Sequence, residues 1–502
     1  MNGRIKTQGE EKMEIKRCAV LARGSLPSIL ALVAALCLVA LPLFAQSVNE
    51  AIVKVYAVYN KPDYYNPWQM QGPQARSGSG CIIDGDRILT SAHVVAEQIF
   101  VQVKRAGQAK RYTAAVGIVA HESDLAILVV EDDAFFAGVE PLQIGDLPKL
   151  RDRVVVYGFP RGGDELAITE GVVSRVEHQF YTHSQEYLLT CQIDAAINPG
   201  SSGGPVIKDG EIAGVSFQAG RGENIGYMVP APVIKHFLKD IEDGEHDGMP
   251  GIGILWQTME NPDLIQRYRM TPEQTGILIN KIYPGSPAQA VLQPGDVILA
   301  IDDTNIENDG TIEFRPGERT SFSYLIQNKF IGDVVELRIL RDGAARDVEL
   351  TFTKTLSEFR LVPNEQYDTL PRYYIVGGLV FEPLTLNLLK IWGLDWYGDA
   401  PRSLVNYYYR GEPTEDRREV IVLVRVLADE LNVGYQDYVY EVIAEVNGKK
   451  IGDMTDLINA FESNTDAYHV IINERGERIV LDRVKVEENT QKILQKYSIP
   501  TP

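Results

Sequence analysis

The most reactive arrangement in this sequence is a serine among glycines, in the stretch Asp194-Ala-Ala-Ile-Asn-Pro-Gly-Ser-Ser-Gly-Gly-Pro205, where a sharp turn would present Ser202. A serine hydroxyl is a weak nucleophile at its free pKa, so the reading needs a histidine base and an acid to orient it. Leu89-Thr-Ser-Ala-His-Val-Val95 ends an apolar strand in a small-residue turn and offers His93. Glu122-Ser-Asp-Leu-Ala-Ile-Leu128 offers Asp124, followed by an apolar run that would bury its carboxylate against the histidine. An imidazole, with an ordinary pKa of ~6.5, can take the serine proton and return it to a leaving amine. The N–H groups of Gly200 and Ser202 would form an oxyanion hole, in which one donor is worth ~10²–10³ in turnover. The rivals are weaker: His121 reads as a surface turn residue, Asp132 and Asp133 lie in an acidic solvated turn, and Asp194 reads as a brace for the loop before the nucleophile.

Those groups must be held by the elements around them. From Gly78-Ser-Gly-Cys-Ile-Ile83 to Leu142, and again from Val154 to Val233, short β-branched runs alternate with Gly, Asp and Pro turns. Two such blocks predict two antiparallel barrels, with His93 and Asp124 from one meeting Ser202 from the other in the cleft between them. The fold class is therefore mainly β, with this body over 47–240. The chain order His, Asp, Ser is that of chymotrypsin-like proteases and differs from that of subtilisins and α/β-hydrolases. With Thr90-Ser-Ala-His-Val-Val95, Ser123-Asp-Leu-Ala-Ile-Leu128, Tyr157-Gly-Phe-Pro160, Gly171-Val-Val-Ser174 and the Ser202 block, the chain resembles the HtrA/Deg family of serine endopeptidases. It departs from the usual family pattern at Ser201 and Ser91, where many members carry Asn.

The residues beyond this body extend the resemblance. Residues 242–248 read as a linker, and Gly251-Ile-Gly-Ile254 resembles the carboxylate-binding loop of a PDZ domain. Pro284-Gly-Ser-Pro-Ala288 and Pro294-Gly-Asp-Val-Ile-Leu-Ala-Ile-Asp302 are PDZ-like as well, which assigns 250–355. A fainter echo lies 145 residues further on, where Val442-Ile-Ala-Glu-Val-Asn-Gly448 and Ile451 match Val297-Ile-Leu-Ala-Ile-Asp-Asp303 and Ile306. It assigns a divergent second PDZ-like domain to 365–485, with Gly377-Gly-Leu-Val-Phe381 as its loop, a long insertion bearing Trp392, Trp396 and Tyr407-Tyr-Tyr409, and a C-terminal tail over 486–502. So extended a second module resembles the plant-type Deg proteases. The expected fold is a chymotrypsin-like double β-barrel followed by two PDZ-like domains.

The resemblance implies an endopeptidase for unfolded or mislocalised exported proteins, working as a homotrimer or a multiple of trimers, whose active-site loop switches between resting and active arrangements. Its PDZ domains would bind C-terminal peptides through Gly251, Ile252, Gly253 and Ile254. The alternative is a PDZ-mediated holdase with latent proteolysis. In the chymotrypsin-like arrangement the substrate pocket has its floor at Ala196 and a wall at Ser216, Phe217 and Gln218. None of these is acidic, and a buried Lys or Arg without a counter-charge would cost several kcal/mol. Aliphatic side chains should be preferred, each buried CH₂ gaining ~0.8 kcal/mol.

The 502 residues exceed one core, and the net charge of −20 disfavours nucleic acid and anionic membranes as partners. No phosphate-binding Gly-x-x-x-x-Gly-Lys loop occurs, so proteolysis independent of ATP is expected. No set of His, Cys, Asp and Glu has ligand spacing, so neither metal nor other cofactor is expected. Lys16, Arg17 and Arg23 precede an apolar run over 29–45 that ends in Leu43-Phe-Ala-Gln46, the pattern of an export signal over 1–46. Its length also approaches that of an uncleaved anchor, so localisation is read as periplasmic or otherwise extracytoplasmic. Cys81 and Cys191 fall on strands of different barrels, as free thiols or as a disulfide. The aromatics of Asn60-Lys-Pro-Asp-Tyr-Tyr-Asn-Pro-Trp68 are expected either against another subunit or over one end of their own barrel.

Overall fold

The computed structural model describes residues 48–161, 163–219 and 225–500. The export signal read over 1–46 lies outside them, and no described helix is long and apolar enough to cross a membrane. Strands β1 (Ile52–Tyr59), β2 (Gln74–Ile83), β3 (Arg87–Thr90), β4 (Gln98–Arg105), β5 (Tyr112–Ala120) and β6 (Leu125–Val129) close a barrel in the order β1-β2-β3-β6-β5-β4. Strands β7 (Arg153–Gly158), β8 (Ala167–Phe180), β9 (Tyr187–Ile193), β10 (Pro205–Lys208), β11 (Glu211–Ala219) and β12 (Gly226–Pro230) close a second, ordered β10-β11-β12-β9-β8-β7. Closure leaves no sheet edge, and the inward side chains of both barrels form one continuous core of Val, Ile and Leu. Cys81 on β2 and Cys191 on β9 are buried, unpaired thiols.

The helix Ala231–Asp240 leads out of the second barrel to a sheet ordered β13 (Ile254–Thr258), β14 (Ile277–Ile282), β15 (Val297–Ile301), β19 (Val334–Arg341), β20 (Ala344–Thr351). The two-residue β16 (Thr304–Asn305) pairs with β15, and β17 (Thr311–Arg315) with β18 (Glu318–Ser321) forms a hairpin. This domain docks on the second barrel through β8, where the His178 ring nitrogens lie 2.7 Å from Thr320 Oγ1 and 2.9 Å from Gln327 Oε1.

The echo at 145 residues is physical. β15 and β24 (Glu441–Val446) are each followed by a two-residue strand, and the turn residues Asp302 and Asn447 both adopt positive φ, +49° and +51°. The seven strands of the last domain are ordered β21 (Tyr374–Val376), β22 (Leu379–Pro383), β23 (Ile421–Val426), β24, β26 (Tyr468–Asn473), β27 (Arg478–Asp482), with β25 (Lys449–Lys450) beside β24. Because strand side chains alternate, Leu379 and Phe381 enter a core under the helix Met454–Glu462, while Val380 enters a second core on the opposite face. That second core is built by the insertion, by the end of the chain and by Tyr64.

Two expectations are corrected here. The expected tail over 486–502 contains most of the helix Arg483–Lys496, which buries Val486, Ile493 and Leu494, because an apolar sheet face must be covered. The aromatic segment after β1 packs on the last domain: Tyr64 is buried in its second core, Trp68 meets Tyr373 edge to face, and Arg425 hydrogen-bonds Asn66 and lies over the Tyr65 ring.

Candidate active site

His93 sits in the single turn of helix Ala92–Val95 that follows β3, with its side chain 31% exposed. Asp124 closes the turn between β5 and β6 at φ +55°, with its side chain fully buried. The two meet twice. Asp124 Oδ2 lies 2.7 Å from His93 Nδ1, and Asp124 Oδ1 accepts the His93 backbone N–H at 2.8 Å. Burial raises the Asp124 carboxyl, but the electrostatic pull of the His93 imidazole and the hydrogen bonds from His93 outweigh it and hold the group below the usual carboxylate range. An ionised partner on Nδ1 fixes the tautomer in which Nε2 can accept a proton.

Ser202 faces His93 across a cleft of about 380 Å³. Its hydroxyl donates to the Phe217 carbonyl at 3.4 Å and makes no hydrogen bond to His93. The turn around it needs glycine on both sides, because Gly200 has φ +102° and Gly203 φ +85°. A Cβ on Gly203 would come within 2.2 Å of the Ser79 carbonyl oxygen. Among the described residues the N–H groups of Gly200 and Ser202 meet no acceptor, whereas those of Ser201, Gly203 and Gly204 bond to carbonyls of Asn198, Ser216 and Ser201. Two free donors flanking a nucleophile are what an oxyanion requires.

Three residues that sequence reasoning passed over shape this constellation. Ser79 on β2 is fully buried and stitches the barrels together: its hydroxyl donates to the Gly200 carbonyl and accepts the Phe159 N–H, each at 2.8 Å, while its N–H donates to the Ser202 carbonyl at 2.8 Å. The signal was present in Gly78 and Gly80, since a Cβ on Gly78 would meet Val94 and the Ser202 carbonyl. Arg76 donates to the carbonyls of His93 and, at 2.6 Å, Ala96, which ties down the end of the histidine's helix. Ile197 lines the cleft and packs against Gly226, where a Cβ would meet its Cδ1 at 2.7 Å.

The expected pocket is corrected in part. Phe217 and Gln218 line the cleft, but Ala196 is exposed and off it, holding Thr169 through its carbonyl at 3.1 Å. Ser216 points inward, its hydroxyl donating to the Ser201 carbonyl at 2.8 Å. Asp194 braces β8, accepting the Val172 N–H at 2.6 Å. His121 is also not a free turn residue: its Nδ1 lies 3.0 Å from His183 Nε2 and its Nε2 lies 2.8 Å from Asp368 Oδ2.

In the first PDZ-like domain, Gly251, Ile252 and Gly253 are buried and Ile254 is half-buried. The Gly251 N–H donates to the Lys354 carbonyl at 3.0 Å, and the Phe359 ring covers Gly251 and Gly253. The chain's own residues 355–359 thus close the loop expected to receive a carboxylate.

Two closed barrels with a hydroxyl, an imidazole and a carboxylate at their junction define a trypsin-like serine peptidase, here with PDZ domains. Family models agree, with a trypsin-like peptidase domain over 78–215 and PDZ domains over 250–352 and 362–502. The chain is similar to Protease Do-like 4, mitochondrial, of Arabidopsis thaliana, at 40% identity over 454 residues, which cover 90% of this chain and 84% of that protein. It is similar to Protease Do-like 2, chloroplastic, of the same plant, at 40% identity over 460 residues, covering 90% and 74%. Its fold resembles that of a solved HtrA-type protease with a decapeptide, at TM-score 0.50 and 21% identity, covering 62% of this chain and 97% of that one. The chain belongs to the Do-like (HtrA/Deg) family of serine endopeptidases.

Proposed function

We propose that this endopeptidase cleaves unfolded or mislocalised polypeptides without ATP, with Ser202 as nucleophile, His93 as general base, Asp124 as the acid that orients it, and the N–H groups of Gly200 and Ser202 as oxyanion hole. The observation that carries the reading is the pair of hydrogen bonds between Asp124 and His93, on the cleft that Ser202 also lines. On substrate binding the Ser202 hydroxyl leaves the Phe217 carbonyl for His93 Nε2 and attacks the scissile carbonyl. His93 carries the proton to the leaving amine, and a water then repeats the sequence to release the acyl group. Ile197 and Phe217 give the cleft apolar walls and no described residue lining it is acidic, so aliphatic residues such as Val, Ala, Ile and Leu are preferred on the N-terminal side of the cut. Domains are taken as 47–240, 250–355 and a second PDZ-like unit from 365 to the C-terminal helix. Export rests on the basic-then-apolar pattern over 1–46 and assembly into trimers on the family resemblance, and the segment over 60–68 lends trimers no support because its aromatics are used within the chain.

The holdase reading has two observations in its favour: the hydroxyl is turned from His93 and the first PDZ loop is closed, together a resting arrangement. Casein digestion followed by mass spectrometry, with fluorophosphonate labelling in parallel, decides between them. The wild type should be labelled and cut after aliphatic residues, and Ser202→Ala should do neither while keeping its fold. Cleavage by Ser202→Ala near the wild-type rate would sink the triad. An unlabelled, inactive wild type would leave the holdase.

A further inference from the structure

Asp124 stands at positive φ in a four-residue turn, His121 to Asp124, closed by one backbone bond of 3.3 Å from the Asp124 N–H to the His121 carbonyl. So short a turn is held from outside, and the holding groups come from the two stretches that join the domains. In the first, over 244–250, His246 lies with Nε2 2.6 Å from Glu122 Oε1 and Nδ1 2.5 Å from Asp240 Oδ2, spanning from the turn to the helix Ala231–Asp240. In the second, over 352–373, Asp368 holds His121 through Oδ2. Asp368 also accepts the Glu97 N–H on Oδ1 at 2.6 Å and donates its own N–H to Glu97 Oε1 at 3.1 Å. Glu97 stands four residues after His93, just beyond the carbonyls gripped by Arg76. Beside Asp368, Tyr367 stacks on His183 with ring centroids 4.0 Å apart and donates to its carbonyl at 3.0 Å. One carboxylate from the stretch between the PDZ domains thus touches both the turn of the triad acid and the end of the base's helix.

We propose that Asp368 and His246, one from each interdomain stretch, are positioning residues for the His93–Asp124 pair, so that turnover depends on both PDZ domains being docked. The inference rests on the triad reading above. Neither residue reaches the cleft, so each acts only through the geometry of the pair: a shift of the turn moves Asp124, Asp124 moves the His93 ring, and reacting groups displaced by about 1 Å lose up to ~10² in rate. Docking of substrate is not involved, which separates this role from peptide capture by the PDZ domains.

The test uses the full chain and a short internally quenched peptide with Val at the cut, too short to engage a PDZ domain. Asp368→Ala and Glu122→Gln should each lower kcat on the order of ten- to a hundred-fold with KM changed less than about two-fold, the signature of a loss confined to the transition state. Asp368→Glu, which restores the carboxylate, should recover most of the rate. Wild-type or raised kcat in folded variants, a change in KM alone, or no recovery with Asp368→Glu overturns the proposal. Should Asp368→Ala fail to fold, Glu122→Gln carries the decision, since it keeps size and removes only charge. Activity persisting in Ser202→Ala is a different result and removes the triad itself.

Discussion

Ser79 illustrates how much of a serine turn's geometry is set by residues that never touch substrate. Its hydroxyl satisfies a buried N–H on Phe159 and a buried carbonyl on Gly200, the residue that also supplies one proposed oxyanion donor. Removing it leaves both groups unpaired, at ~1–3 kcal/mol for an unsatisfied buried partner, and frees the Gly200 peptide to rotate. Ser79→Ala should therefore lower kcat by at least about ten-fold while sparing KM, because the donor matters only once charge develops on the carbonyl oxygen. Steady-state kinetics on the same quenched peptide reads this directly, and unchanged kcat would show that the Gly200 peptide is held by the loop alone. His183 is the second residue of note. Burial pushes its imidazole down to about 3 against the pull of the Asp124 carboxylate, so it stays neutral beside the triad and acts as a packed aromatic between His121 and Tyr367.

At the scale of elements, the stretch over 244–250 is an electrostatic clasp. Burial alone would lower the His246 imidazole, but the hydrogen bond and charge of Glu122, with Asp240 on the other nitrogen, raise it to about 9. The Glu122 carboxyl, which burial would raise, is held below its ordinary range by the same bond. A folded-state pKa above the unfolded value of ~6.5 gives stability that is fully present below that value and is lost as pH rises through about 9. Thermal unfolding midpoints of the wild type should thus exceed those of His246→Gln at pH 7 and converge with them near pH 10. A gap that stays constant over this range would refute the charged clasp.

For the whole molecule, the stretch after β1 is the joint between the protease body and the last domain. Glu382 on β22 is buried there with Oε1 lacking a partner among the described residues, and burial, then the charge of Asp63, raise its carboxyl well above the usual range. The group is folded in its neutral form. Its cost is absent below the unfolded carboxylate pKa of ~4.3 and grows as pH rises above it, since the unfolded chain can release a proton that the folded one must keep. Glu382→Gln should accordingly raise the unfolding midpoint at pH 8 and give no gain at pH 4. An equal effect at both values would mean that the carboxyl is solvated and the joint looser than the structure has it.

Local chemistry and period were legible in the sequence. Glycines around Ser202, a histidine after an apolar strand, an aspartate before one, alternation with a period of two and a turn motif repeated after 145 residues all act through near neighbours in the chain, and they define both barrels and both PDZ sheets. Contacts that join distant stretches were not legible, because residues hundreds of positions apart leave no spacing to read. The chymotrypsin-like arrangement puts the pocket floor at Ala196, whereas Ile197 lines the cleft because of how the loop packs on Gly226. Tyr64 and Trp68 read as aromatics in need of cover, and only the tertiary structure decided that an uncovered sheet face roughly 300 residues away would supply it. The same holds for the turn at Asp124: the sequence determined that it carries an acid, and the folding of two interdomain stretches onto it decided what keeps that acid in place.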